Sequence, residues 1–267
     1  MNNTKKKSPI SWVPTAYFAM GLPFVVLNMV TVLMFKGLEV DDKLITFWTS
    51  LILLPWTLKP LWSPFLELFR TKKFFVIVTQ LITGITFGLV AFALNLSHFF
   101  SISIALLAIV AFSGATHDIA CDGVYMSELS NEDQARFIGW QGAFYNIAKI
   151  LATGGLVYLA GYFIELNADA GLLTANKRAW MIILLILSVT MILLGIYHLF
   201  ALPSTQSASS RKTLRSNKEV MKELGQVLMD FFRKTHITYY ICFIILYRFA
   251  EGFVMKIVPL FLKADRE

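Results

Sequence analysis

The sequence predicts an all-α, polytopic membrane protein, and three observations carry that prediction. Of 267 residues, 57% are hydrophobic and only 15% are charged, against about 45–50% and about 25% in soluble globular domains. The mean hydropathy is +0.64. The apolar residues fall in long runs and not in the ten-residue alternating segments that a membrane β-barrel requires. A span of about 24 residues crosses roughly 30 Å of hydrocarbon at 1.5 Å per residue. Seven such spans leave only about 100 residues for loops and ends, too few for a sizeable soluble domain.

The spans run, in order, over Trp12–Phe35, Ile45–Leu68, Phe74–Asn95, Phe99–Met126, Phe137–Ile164, Ala179–Leu202 and Ile237–Leu262. Their backbone amides have no water to bond, which makes them helices despite their β-branched content. The first follows Lys5, Lys6 and Lys7 and lacks a small-x-small cleavage site, so it reads as a retained span and not a signal peptide. Pro14, Pro23, Pro55, Pro60 and Pro64 lie in or beside the first two spans. They predict kinks, which neighbouring helices make tolerable. Cys121 and Cys242 both fall inside spans, which argues against a disulfide framework.

Basic residues set the orientation. Fourteen Lys and Arg lie on the side of the N-terminus, counting Lys5 to Lys7, Arg70, Lys72, Lys73, Arg136 and seven between Pro203 and His236. Six lie on the other side: Lys36, Lys43, Lys177, Arg178, Lys263 and Arg266. The excess places the N-terminus in the cytoplasm and accounts for the net charge of +7 without nucleic acid.

Three parts follow: residues 1–202 as a six-helix bundle, 203–236 as a cytoplasmic connection, and 237–267 as a seventh helix. The connection opens with a polar stretch, Ser204 to Ser210. Val220, Met221, Leu224, Val227, Leu228, Phe231 and Phe232 then recur at helical spacing, with Lys218, Lys222, Glu223 and Asp230 between them. That pattern predicts an amphipathic helix on the inner leaflet, with a flexible basic linker as the alternative. Six spans, a long inner linker and a seventh span are what remain of a six-plus-six transporter cut within its second half.

The functional signal is charge where lipid should be. An ionisable side chain at mid-span costs about 2.5–3.5 kcal/mol on insertion scales, so such groups face the bundle interior or a watery cavity. Lys59 lies in the second span, His117, Asp118 and Asp122 in the fourth, and Lys149 in the fifth. Arg248, Glu251 and Lys256 lie in the seventh. Counted from the helix ends, Lys59, Asp118 and Lys149 sit within about one turn of each other in depth. Asp118 can therefore pair with either lysine, as a substrate or proton site or as a bond that only fixes helix register. Asp122 is either a second coupling carboxylate or an interfacial latch to Arg70 or Arg136. His117 is either a packing histidine or a proton carrier. Arg248 and Glu251, three apart, are either functional or neutralise each other.

Two polar stripes suit a cavity wall: Tyr17, Gly21, Phe24 and Asn28 in the first span, and Gly142, Asn146 and Lys149 with Gln141 and Tyr145 in the fifth. No catalytic residue, metal site or cofactor is expected, because no Gly-rich phosphate loop, His/Cys cluster or nucleophile elbow is present. The expected partners are a small-molecule solute, protons and the bilayer.

Four segments carry a family resemblance: Gly21-Leu22-Pro23-Phe24, Thr57-Leu58-Lys59-Pro60-Leu61-Trp62-Ser63-Pro64-Phe65-Leu66-Glu67, Ala115-Thr116-His117-Asp118-Ile119-Ala120-Cys121-Asp122-Gly123 and Tyr247-Arg248-Phe249-Ala250-Glu251. Together they resemble the AmpG-like branch of the major facilitator superfamily, bacterial inner-membrane muropeptide permeases and related acetyl-CoA transporters. The resemblance implies proton-driven import of anhydro-muropeptides, with the family's polar positions carried by Lys59, Asp118, Asp122, Arg248 and Glu251. His117 stands where the family has Gln, Glu67 where Asp is usual and Arg248 where Lys is usual. It also implies about twelve spans, so a chain of seven is expected to lack a partner half needed for transport. Another anionic or sugar solute, or a non-transporting membrane fragment, are the alternative readings.

Overall fold

The computed structural model describes residues 7–63, 66, 71–203, 225–226, 229–230, 232–243 and 246–247. Every regular element among them is helical. Six helices are long and apolar enough to cross a membrane: α1 (Pro9–Gly37), α2 (Asp42–Leu61), α3 (Lys72–Ala93), α4 (Phe99–Glu128), α5 (Asn131–Leu166) and α6 (Leu172–Ala201). The chain is a multi-pass membrane protein. It divides into two units, Met1–Arg211 and Lys212–Glu267.

The helices extend past the apolar runs because polar caps in the interface start them. The Asp41 carboxylate accepts from the amides of Lys43 and Leu44, the Thr71 hydroxyl from that of Phe74, and the Ser130 hydroxyl from that of Asp133. Each cap satisfies amides that a first turn leaves without partners. So α2 begins three residues and α5 six residues before the first apolar residue of the predicted span. Helix α6 starts seven residues early, at a turn where Gly171 has φ 85°, the left-handed region that glycine enters without strain.

Two long helices are not regular. Helix α1 passes Pro23 and then widens into a π-turn at Val26–Val30. Helix α5 does the same at Leu151–Leu156, a segment containing Gly154 and Gly155, and the two π-turns pack against each other. Helix α2 breaks into a turn after Leu51, resumes at Leu54–Leu58 and tightens to 3-10 geometry at Lys59–Leu61. Pro55 and Pro60, which lack an N–H, stand at the starts of those last two segments. The second predicted span thus loses regularity where the prolines were expected to kink it.

Helix α3 packs between α4 and α6, α1 lies on α4 and α5, and the last part of α2 leans on α4. Outward faces carry bare apolar side chains, including Phe92 (63% exposed), Phe112 (55%) and Phe200 (71%). Water would not tolerate so many large apolar groups at once, and acyl chains do.

The interior is layered. One apolar cluster fills one end with Val26, Met34, Phe87, Leu107 and Ile183. A second fills the other with Trp12, Ala16, Val76, Cys121, Val124 and Leu202. Between them in chain order, on α3, α4 and α6, lies a belt of buried polar groups: Thr79, Gln80, Thr83, Ser113, His117, Asp118 and His198.

In the second unit, the described residues 229–230 and 232 are helical and exposed, and so are residues 246–247 of the expected seventh span. Most of the expected amphipathic helix, together with Arg248, Glu251 and Lys256, lies outside the described residues.

Candidate functional site

The site lies in the polar belt, and its centre is an ion pair. The Lys59 ammonium donates to the Asp118 carboxylate at 2.6 Å. The pair is largely enclosed, with side chains 28% and 11% exposed. The indole N–H of Trp56 donates to the same carboxylate oxygen, Oδ2, at 2.9 Å. The broken end of α2 makes this possible. One irregular turn brings Trp56 and Lys59 onto α4 together, and Gly114 leaves room for the ring. A Cβ at Gly114 would stand 2.8 Å from Trp56 Cζ2. The other oxygen of Asp118, Oδ1, is buried and has no hydrogen-bond partner among the described residues. Lys59, and not Lys149, is therefore the cation on Asp118.

One turn along α4, Asp122 accepts a hydrogen bond from the Tyr17 hydroxyl at 2.8 Å. The latch from Asp122 to Arg136 does not form. Arg136 lies over the Phe137 ring at 5.8 Å, and Arg70 is outside the described residues. Tyr17 itself is buried, edge-on to Tyr125 at 5.9 Å. The two carboxylates of α4 thus meet different partners, one from α2 and one from α1.

A second polar set crosses the belt. Gln80 on α3 touches two histidines: its Nε2 lies 3.0 Å from His117 Nε2, and its Oε1 lies 2.9 Å from His198 Nδ1. His198 Nε2 in turn lies 2.9 Å from the Thr15 hydroxyl. Beside them, Thr83 donates to the Ser113 hydroxyl at 3.0 Å, and Ser113 donates to the Thr79 carbonyl at 2.7 Å. These bonds keep polar groups in a low-dielectric interior from being left unpaired, which would cost about 1–3 kcal/mol each.

The other expected residues are placed differently. Gly21 is a contact glycine: a Cβ there would lie 2.8 Å from the Tyr145 carbonyl oxygen and 3.0 Å from Ala148 Cβ. Its missing side chain lets α1 and α5 touch backbone to backbone. Asn28 is half-buried and sits within the π-turn of α1. Gln141 and Tyr145 are half-buried, while Gly142 and Asn146 are exposed. Asn146 donates to the Gly142 carbonyl of its own helix at 2.8 Å. Lys149 is half-buried, lies 5.9 Å from the centre of the Tyr145 ring, and makes no ion pair among the described residues.

Sequence reasoning that searched for charges missed Trp56, Thr15, Gln80 and His198. Gln80 was detectable, being an amide in the middle of an otherwise apolar span. His198 and Thr15 lie near span ends, where a polar residue carries no signal. Compared with known proteins, the chain matches no protein-family model, no curated protein and no solved structure.

Proposed function

We propose that the six-helix bundle is the N-terminal half of a major-facilitator-type secondary transporter, AmpG-like, in the bacterial inner membrane with its N-terminus in the cytoplasm. Its activity is proton-coupled import of a sugar- or peptide-bearing solute such as an anhydro-muropeptide. It is a carrier and not an enzyme. The observation that supports this reading most is the Lys59–Asp118 pair, held at 2.6 Å inside a bundle whose neighbouring layers are apolar. A pair needed only for register costs more to desolvate than an apolar contact at the same place. A coupling group gains from being there, because opening the bundle to one side or the other changes its partner and its access to protons. Asp122, with its separate partner Tyr17, adds a second carboxylate one turn away.

The test is uptake into proteoliposomes made with the complete gene product under an inward pH gradient. Accumulation of labelled GlcNAc-anhydro-MurNAc is expected, with loss of at least tenfold in Asp118→Asn and in Lys59→Ala. Undiminished uptake in both variants contradicts the proposal. A second reading, an anionic solute such as an acyl-CoA or a charged sugar, is favoured by Lys149, a half-buried cation without a carboxylate among the described residues. Competition separates the two: anhydro-muropeptide, acyl-CoA and sugar phosphate are each added unlabelled, and the true solute is the one that blocks uptake.

A further inference from the structure

We propose that Gln80 is a positioning residue that fixes the tautomers of two buried histidines, making His117 a hydrogen-bond donor at Nδ1 and not a base at Nε2. A carboxamide has one end that only accepts and one that only donates. Its Oε1 faces His198 Nδ1 at 2.9 Å, so that nitrogen carries the proton. Its Nε2 faces His117 Nε2 at 3.0 Å, so that nitrogen offers its lone pair.

Both imidazoles are buried, at 3% and 0% exposure. A neutral ring has one N–H, whereas a cation has two and needs an acceptor opposite each nitrogen. At His117 a proton on Nε2 would collide with the amide N–H of Gln80, so the single proton goes to Nδ1. At His198 the proton is on Nδ1, so Nε2 accepts. The Thr15 hydroxyl, 2.9 Å away, then donates to it as well as to the Trp12 carbonyl at 3.2 Å, a shared bond in which the shorter arm goes to the imidazole. One amide on α3 thereby dictates the proton positions on α4 and α6 and the direction of a hydroxyl on α1.

The consequence lies at the open end of the chain. His117 Nδ1 is buried and has no hydrogen-bond partner among the described residues. With its proton fixed there, it is a buried donor with no acceptor among the described residues, and it immediately precedes Asp118 in the belt. A group that meets it must bring a lone pair: a carboxylate, a carbonyl or a sugar oxygen. His117 then orients a ligand or a neighbouring carboxylate, and Gln80 acts only through it. None of this depends on the carrier reading.

Nitrogen NMR of the full chain, labelled with 15N-histidine and held in lipid nanodiscs near neutral pH, tests the proposal directly. His117→Asn and His198→Asn assign the signals. In the wild type both rings are expected to show a protonated Nδ1 and a bare Nε2. Gln80→Glu, read at a pH where the 13C shift of its labelled carboxyl shows it ionised, replaces the donor end by a second acceptor. His117 Nε2 is then expected to become protonated, while His198 keeps its Nδ1 proton. Thr15→Val removes the hydroxyl but not the amide, and both rings are expected to keep their wild-type tautomers. A bare Nδ1 on either wild-type ring overturns the proposal. So does a Gln80→Glu protein with His117 Nε2 still bare, or a Thr15→Val protein in which His198 has switched. Should Gln80→Glu fail to fold, the wild-type and Thr15→Val spectra decide the matter between them.

Discussion

At the scale of the residue, position in the belt decides what a charge is worth. Lys59 and Asp118 are the same residue types as Lys36 and Asp42, which also pair, at 2.7 Å. The latter side chains are 53% and 67% exposed, where water screens the attraction and such pairs are worth about 0–1 kcal/mol. Removing one member of a fully buried pair typically costs about 3–5 kcal/mol because the other is left stranded. Lys59 keeps some exposure, so Lys59→Ala is expected to cost roughly 2–3 kcal/mol. Lys36→Ala is expected to cost under about 1 kcal/mol. Reversible unfolding in mixed micelles checks both, and equal losses would mean that the belt is wetter than its burial indicates. Tyr17→Phe removes only a hydroxyl from Asp122 and is expected to cost about 1–2 kcal/mol in the same assay.

The residue scale is also where the sequence was most legible. Asp118, Lys59 and Asp122 stand out because nothing else in an apolar span is as costly as a charge. Which lysine meets Asp118 was not legible. Equal depth left Lys59 and Lys149 as equivalent choices, and only the rotation of the helices distinguishes them. That rotation depends on the π-turns and on the broken end of α2, none of which has a periodic signature. Trp56 was hidden for a related reason, since an indole in a membrane span is ordinarily packing, and its N–H matters only once Gly114 lets the ring reach the carboxylate.

At the scale of the element, close helix contacts rest on a few glycines, and the structure separates them from those in open space. Helices α1 and α5 meet through Gly21, where an added Cβ would strike the backbone oxygen of Tyr145. Helices α3 and α6 meet through Gly84, where it would lie 2.9 Å from the Ser188 carbonyl oxygen. Backbone cannot move aside as a side chain can, so Gly21→Ala and Gly84→Ala are each expected to cost about 1–3 kcal/mol. Among the described residues, nothing lies within 4 Å of where a Cβ would stand at Gly142. There Gly142→Ala is expected to be neutral, or to stabilise by up to about 1 kcal/mol through helix propensity. Thermal denaturation in detergent distinguishes the two kinds, and a destabilised Gly142→Ala would show that another element covers that face. From sequence the existence of the first six spanning helices was legible, and where they start was not. The caps at Asp41, Thr71 and Ser130 lie in polar segments that a search for apolar runs passes over.

At the scale of the whole molecule, two apolar clusters hold a polar belt between them, and the bundle's function turns on whether that belt works or merely aligns helices. Stability alone does not separate these possibilities, since either kind of pair is destabilised by losing one partner. A double replacement does separate them. Lys59→Met with Asp118→Leu removes both charges and leaves apolar groups of comparable bulk, a change that is often neutral or stabilising for a buried pair. Gradient-driven solute uptake by this double variant, made in the same protein as the proteoliposome test and measured beside a wild type that accumulates solute, together with both unfolding midpoints, is the most direct test of a working belt. The expected result is a folded protein that accumulates no solute above background and is less stable than the wild type by no more than about 1–3 kcal/mol, the cost of the stranded Trp56 N–H. A double variant that folds and still concentrates its solute would contradict it, because the charges would then have served only to set the helices in place.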